Sequence, residues 1–125
     1  RAEERAAEDD TISDDAIALM AESLTRIREL HDNFAFVYAL VPLIAAAVLK
    51  GDDAWAALLV GARDSVTDRT GVTVVDKSAR DLQDQSEKKA RRRLGPERWS
   101  ETYEAGRRTS IESLASDLER RFARA

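Results

Sequence analysis

The residues able to do chemistry are few, and their spacing is poor for it. The single histidine, His31, stands beside Asp32. A histidine–carboxylate pair serves acid–base catalysis or metal binding only when further ligands gather around it, and nothing in the sequence clusters them there. Its position just past a helix end suits a surface or C-cap role. Asp14 with Asp15, and Asp52 with Asp53, have the look of paired carboxylates. Adjacent residues on a helix point in different directions, which disfavours a shared proton or metal. Each pair also opens a helix, where the dipole and the free amides favour negative charge, so capping is the expected role. Cysteine is absent, which removes disulfides and thiolate zinc sites. H-E-x-x-H, D-x-D-x-D-G, G-x-S-x-G and Walker A patterns are missing, and the glycines are too scattered to cradle a phosphate. No catalytic residue, metal ligand or cofactor is expected.

The basic run "KKARRR" has more reach. Lys88, Lys89, Arg91, Arg92 and Arg93 crowd a short stretch at a helix C-terminus, where the dipole tolerates them. A solvated face is the plain reading, and contact with an acidic protein surface is the functional one. A nucleic-acid contact is the weaker alternative: the chain carries a formal charge of -4 and a pI near 5.1, and no aromatic residues alternate with these bases as in a single-strand groove. Trp55, Trp99 and Tyr103 fit either a ligand pocket or ordinary helix anchoring, and packing is the expected role.

The elements that carry these residues are helical. The chain of 125 residues suits one domain with a modest core, and its 43% hydrophobic content excludes compositional disorder. Only 5 Gly and 2 Pro interrupt it. It begins at Arg1 rather than methionine and reads as a piece of a larger or processed protein, with residues 1–10 a charged lead-in that does not resemble a signal peptide. The longest apolar run, "FAFVYALVPLIAAAVL", falls short of the ~20 residues of a membrane span and contains Pro42, so a central buried helix is expected instead.

Ser13, Asp14 and Asp15 start an amphipathic helix with the stripe Ile17, Met20, Leu24 and Ile27. A second helix runs from about Asn33 to Lys50, apolar on nearly every side and therefore expected in the middle of the array, kinked or broken at Pro42 and stopped by Gly51. Asp52 and Asp53 open a third, in which Trp55, Leu58, Leu59, Ala62 and Val66 share a face that Ala54, Ala57 and Gly61 broaden; Gly71 ends it. "GVTVVDK" has no partner run and reads as an extended linker. Thr73 and Asp76 have capping-box spacing for a surface helix over about Val75–Leu94, with a thin stripe of Val75, Ala79, Leu82, Ser86 and Ala90. Gly95 and Pro96 punctuate the chain before a short helix with Trp99, Thr102 and Tyr103 inward, ending near Gly106. The final helix is expected to start at Thr109, with Glu112 at capping-box spacing, and to carry the stripe Ile111, Leu114, Ala115, Leu118 and Phe122. The fold class is all-α, an antiparallel array of about six helices without a sheet, forming a single domain over 1–125.

Three strings carry a family resemblance: "LIAAAVLKGDDAWAALLVGARDSVTDRTG", "ARRRLGPERWSETYEAGRRTS" and "IESLASDL". From Phe34 onward the chain resembles the extreme C-terminal part of large ATP-dependent LuxR-type bacterial regulators similar to the maltose regulator MalT, and of related ATPase-containing regulators and sensor kinases. Val60, Gly61 and Ala62 stand where that family has a helix-packing "LGAA", and Glu104 to Arg108 resemble its "EGR" turn. The chain departs from the pattern at Val60 and Arg63 and in the inserted Ala105. "AALLVGAR" accordingly looks like a packing cassette in which Gly61 permits close approach, and not like a nucleotide loop.

The resemblance implies a tetratricopeptide-like helical array from the C-terminal region of a cytoplasmic multidomain regulator. This piece would be a non-enzymatic sensor or protein-interaction module, with an ATPase or kinase domain elsewhere in the parent. Its partners would be the ATPase or other domains of the parent, or another protein, with a small-molecule inducer; direct nucleic-acid binding and membrane association are not expected. Trp55, Leu58, Gly61, Ala62, Trp99, Tyr103 and Gly106 would serve packing. Arg63, Lys88, Lys89, Arg91, Arg92, Arg107 and Arg108 are the candidates for contact with a partner, alongside Asp64. The alternatives are the C-terminal regulatory arm of a Ser/Thr protein kinase and a stand-alone small-ligand-binding bundle, the latter requiring a closed apolar cavity lined by Phe36, Tyr38, Trp55 or Trp99.

Overall fold

A computed structural model describes Leu19, Glu22 and residues 32–122, apart from several side chains of the last helix. Over these residues the chain is an all-α, sheet-free bundle of five helices: α1 (Asn33–Leu49), α2 (Asp53–Thr70), α3 (Lys77–Leu94), α4 (Pro96–Arg107) and α5 (Ile111–Phe122). Of the amphipathic helix expected from Ser13 onward only Leu19 and Glu22 are described, both helical; Ile17, Met20, Leu24 and Ile27 lie outside the described residues, as does His31.

Helix α1 begins where the Asp32 carboxylate accepts from the Ala35 amide at 3.0 Å. Of the kink or break expected at Pro42, the break does not occur: 33–49 is one helix. Pro42 is exposed, while Leu40, Val41, Leu43 and Ile44 on either side are buried together, so core packing holds both turns. At the far end Gly51 takes φ +81°. Its amide donates to the Val48 carbonyl at 3.0 Å and the Asp52 amide to that of Ala47 at 2.9 Å, the paired bonds of a Schellman stop. Asp52 then caps α2 by accepting from the Trp55 amide at 3.2 Å. One tight corner thus closes α1 and opens α2.

After Gly71 the linker runs to Asp76 without regular secondary structure, with Val74 buried and Asp76 itself extended. Tyr38 of α1 pins it, its hydroxyl oxygen accepting from the Val75 amide at 2.9 Å. That bond corrects the expected start of α3. Val75 stays outside the helix, 72% exposed, and Asp76 is itself the cap, accepting from the Ala79 amide at 3.0 Å. Helix α3 lies on the surface and buries only Ser86 and Ala90; Leu82, expected inward, is 43% exposed. The last cap also shifts by one residue. Ser110 accepts from the Ser113 amide at 3.0 Å, while the Thr109 hydroxyl turns back to the Ala105 carbonyl at 2.9 Å.

The core joins Phe36, Leu40, Leu43 and Ile44 of α1 to Leu59, Val60 and Val66 of α2, with Trp99 of α4 and Leu114 of α5. Each such side chain contributes about 1.5–3 kcal/mol through removal from water. Among the described residues α2 is the hub. It packs on α1, α3 and α4, and α4 is its most extensive neighbour. The all-apolar sequence of α1 suggested that helix for the centre; small residues on α2 (Ala56, Ala57, Gly61, Ala62) decide otherwise, because they let neighbours close on several sides.

Candidate interaction surface

The closest helix contact fixes where the charged side chains stand. Helices α2 and α4 meet through two glycines. A Cβ on Gly61 would overlap the Tyr103 carbonyl oxygen and lie 2.9 Å from the Arg107 nitrogen. A Cβ on Gly106 would overlap the Leu58 carbonyl oxygen and lie 2.8 Å from its carbon. Neither backbone can move aside as a side-chain tip can, so the approach requires hydrogen at both positions. Leu58 and Tyr103 contribute backbone to this contact, and Ala62 is buried close by in sequence.

A polar network runs along the same seam. Arg63 is only 7% exposed. Its Nε and Nη2 donate to Asp64 Oδ1 at 3.0 and 2.7 Å, and Nη2 lies 3.5 Å from Glu87 Oε2 on α3. Asp64 Oδ2 accepts from the Tyr103 hydroxyl at 2.7 Å. One turn further on, Arg107 donates to Asp68 at 2.6 Å and reaches the Tyr103 oxygen at 3.4 Å. Burial, and then the bond to the Asp64 carboxylate, push the Tyr103 hydroxyl pKa above its ordinary 10.0. The bond to Asp68 raises that of Arg107, which stays charged. The buried Arg63 is paired with Asp64 and Glu87 through Nε and Nη2, while its Nη1 is buried without a hydrogen-bond partner. Arg63, a candidate for partner contact, is therefore spent inside the bundle, and Arg107 is largely engaged with α2.

The basic run divides in the same way. Arg93 turns inward to the α1–α2 corner, donating to the Val48 carbonyl at 2.7 Å and to Asp53 at 2.6 Å. Asp52 thus caps the helix, as expected, while Asp53 in its first turn holds an arginine. Arg91 lies over the Trp99 ring, its guanidinium 5.1 Å from the centroid, and Tyr103 stacks beyond at 6.4 Å. Lys88, Lys89, Arg91, Arg92 and Arg108 are exposed. Next to them an open groove of about 640 Å³ runs between the ends of α3 and α4, lined by Arg91, Arg92, Pro96, Trp99, Ser100, Tyr103 and Glu104.

The aromatic candidates do not converge on one pocket. Phe36 and Trp55 are buried in the core, Tyr38 holds the linker, and Trp99 lies beneath Arg91 at the groove floor. Sequence reasoning missed Asp68, Glu87 and the inward turn of Arg93. A signal for the first existed: Asp64 and Asp68 are one turn apart, as are Tyr103 and Arg107, so two matched ladders were present. Among the described residues there is no cluster of three His, Cys, Asp or Glu residues able to hold a metal ion, and no helix is long and apolar enough to cross a membrane.

Comparison of the chain with protein-family models, with curated proteins and with solved structures finds no match in any of the three.

Proposed function

We propose that the chain is a non-catalytic helical module that makes protein contacts within a bacterial signalling or transcriptional regulator, and that the exposed basic end of α3 is its contact surface. The observation carrying this is the division of labour among the cations. Arg63, Arg93 and Arg107 hold helices together, whereas Lys88, Lys89, Arg91 and Arg92 project from one end of α3 beside an open groove. Such a patch favours an acidic protein surface and gains rate and specificity through charge complementarity. The resemblance to the arms of ATP-dependent LuxR-type regulators supports placing the module next to an ATPase, as part of a tetratricopeptide-like array in the cytoplasm.

The test reads the coding frame on both sides of the chain and then titrates the purified chain against each neighbouring domain. An ATPase with a Walker A loop that binds through Lys88, Lys89 and Arg92 supports the regulator. A kinase domain selects the regulatory-arm alternative. The small-ligand reading has less support, since the groove is open and rimmed by charge rather than closed and apolar.

A further inference from the structure

The outward cations of α3 differ in how they are held. Gly95 and Pro96 turn the chain directly after α3, and the Trp99 amide closes the first turn of α4 by donating to the Gly95 carbonyl at 2.9 Å. That turn sets the buried indole of Trp99 beneath Arg91, whose guanidinium lies 5.1 Å from the ring centroid. Tyr103 stacks on Trp99 and donates to Asp64, so the ring is itself fixed. Among the described residues no carboxylate pairs with Arg91, whereas Arg63, Arg93 and Arg107 each have one. Arg91 is therefore an exposed cation confined against a ring, with its N–H donors uncommitted. Lys88 and Lys89 carry their charge on flexible stems, without a planar fork. Arg91 and Arg92 line the groove together, and Glu104, which also lines it, repels a carboxylate on its own side. An acidic group entering the groove is thereby directed to the arginines.

We infer that Arg91 determines specificity on this surface: seated on Trp99, it donates two parallel N–H···O bonds to an aspartate or glutamate side chain that the partner inserts into the groove, while Lys88, Lys89 and Arg92 attract that partner. This rests on the reading of the basic face given above. A guanidinium matches a carboxylate with two bonds at once, which an ammonium does not. Confinement against the ring removes part of the ordering cost of binding. The neighbouring charges act mainly on the rate of encounter.

The test titrates the full chain with a short poly-glutamate peptide at low salt and follows the backbone amides of 88–92 and the indole N–H signals of Trp55 and Trp99. The peptide is expected to shift the Trp99 indole and leave that of Trp55, which lies in the core, in place. Arg91→Lys keeps the charge and removes the fork, and is expected to lower the affinity about fivefold at an unchanged urea midpoint. Lys89→Arg is the control and is expected to stay within about twofold. The indole shift is read on the unmodified chain, so the test does not depend on a variant folding. If the amides of 88–92 shift while the Trp99 indole stays still, or if Arg91→Lys binds as the unmodified chain does, the role of Arg91 falls and the basic face stands. If the peptide shifts nothing at 88–92, both fall.

Discussion

Gly61 of α2 and Gly106 of α4 mark two points where the helices touch backbone to backbone, Gly61 against the Tyr103 carbonyl and Gly106 against that of Leu58. This contact sets the register of Tyr103 and Arg107 over Asp64 and Asp68.

Alanine at either position is expected to destabilise the protein. Helix propensity alone favours Gly→Ala by about 1 kcal/mol. Overpacking against an immovable carbonyl outweighs it, and the net loss for Gly61→Ala or Gly106→Ala is about 2 kcal/mol. Gly51→Ala is the control: nothing lies within 4 Å of its Cβ, and only the left-handed backbone at φ +81° costs, about 1 kcal/mol. Urea midpoints at constant slope measure all three.

Tyr103→Phe removes the hydrogen bond to Asp64 and is expected to cost about 1 kcal/mol at neutral pH. It also changes the response to alkali. The Tyr103 pKa is raised on folding, so the folded protein holds this proton more tightly than the unfolded chain. The associated stability is complete below 10.0, declines as pH rises past it, and is gone above the folded value. Unfolding curves from neutral pH upward are therefore expected to show a smaller alkaline loss in Tyr103→Phe than in the unmodified protein.

Arg92 and Arg93 are adjacent and chemically identical, yet their truncation should differ. Arg93→Ala removes the donor of Asp53 and the second donor of the Val48 carbonyl, which keeps the Gly51 amide, a loss of about 1–2 kcal/mol. Arg92 is exposed, and Arg92→Ala is expected to stay within about 0.5 kcal/mol of the unmodified protein. Thermal denaturation of the pair checks this.

Much of the fold was legible in the sequence because its signals are local. Gly51, Gly71 and Gly95 stop helices where their positions suggest, and the Asp52 cap follows from its place directly after Gly51. The start of α3 was not legible, because the Val75 amide's bond to Tyr38, distant in sequence, holds Val75 outside the helix and leaves Asp76, not Thr73, as the cap. The unbroken α1 depends on which way Pro42 faces, which is tertiary information. At the candidate surface, the basic run was visible but its division was not: only the packed corner shows that Arg93 turns inward while Lys88, Lys89 and Arg92 turn out.

The K88Q/K89Q/R92Q variant separates the two halves of the basic run. Its urea midpoint and its affinity for a short poly-glutamate peptide are measured together at low salt. An unchanged midpoint and an affinity lowered about tenfold or more are expected, as several weak ion pairs are lost at once. An unchanged affinity, or a fold that collapses when these three charges go, would contradict that separation.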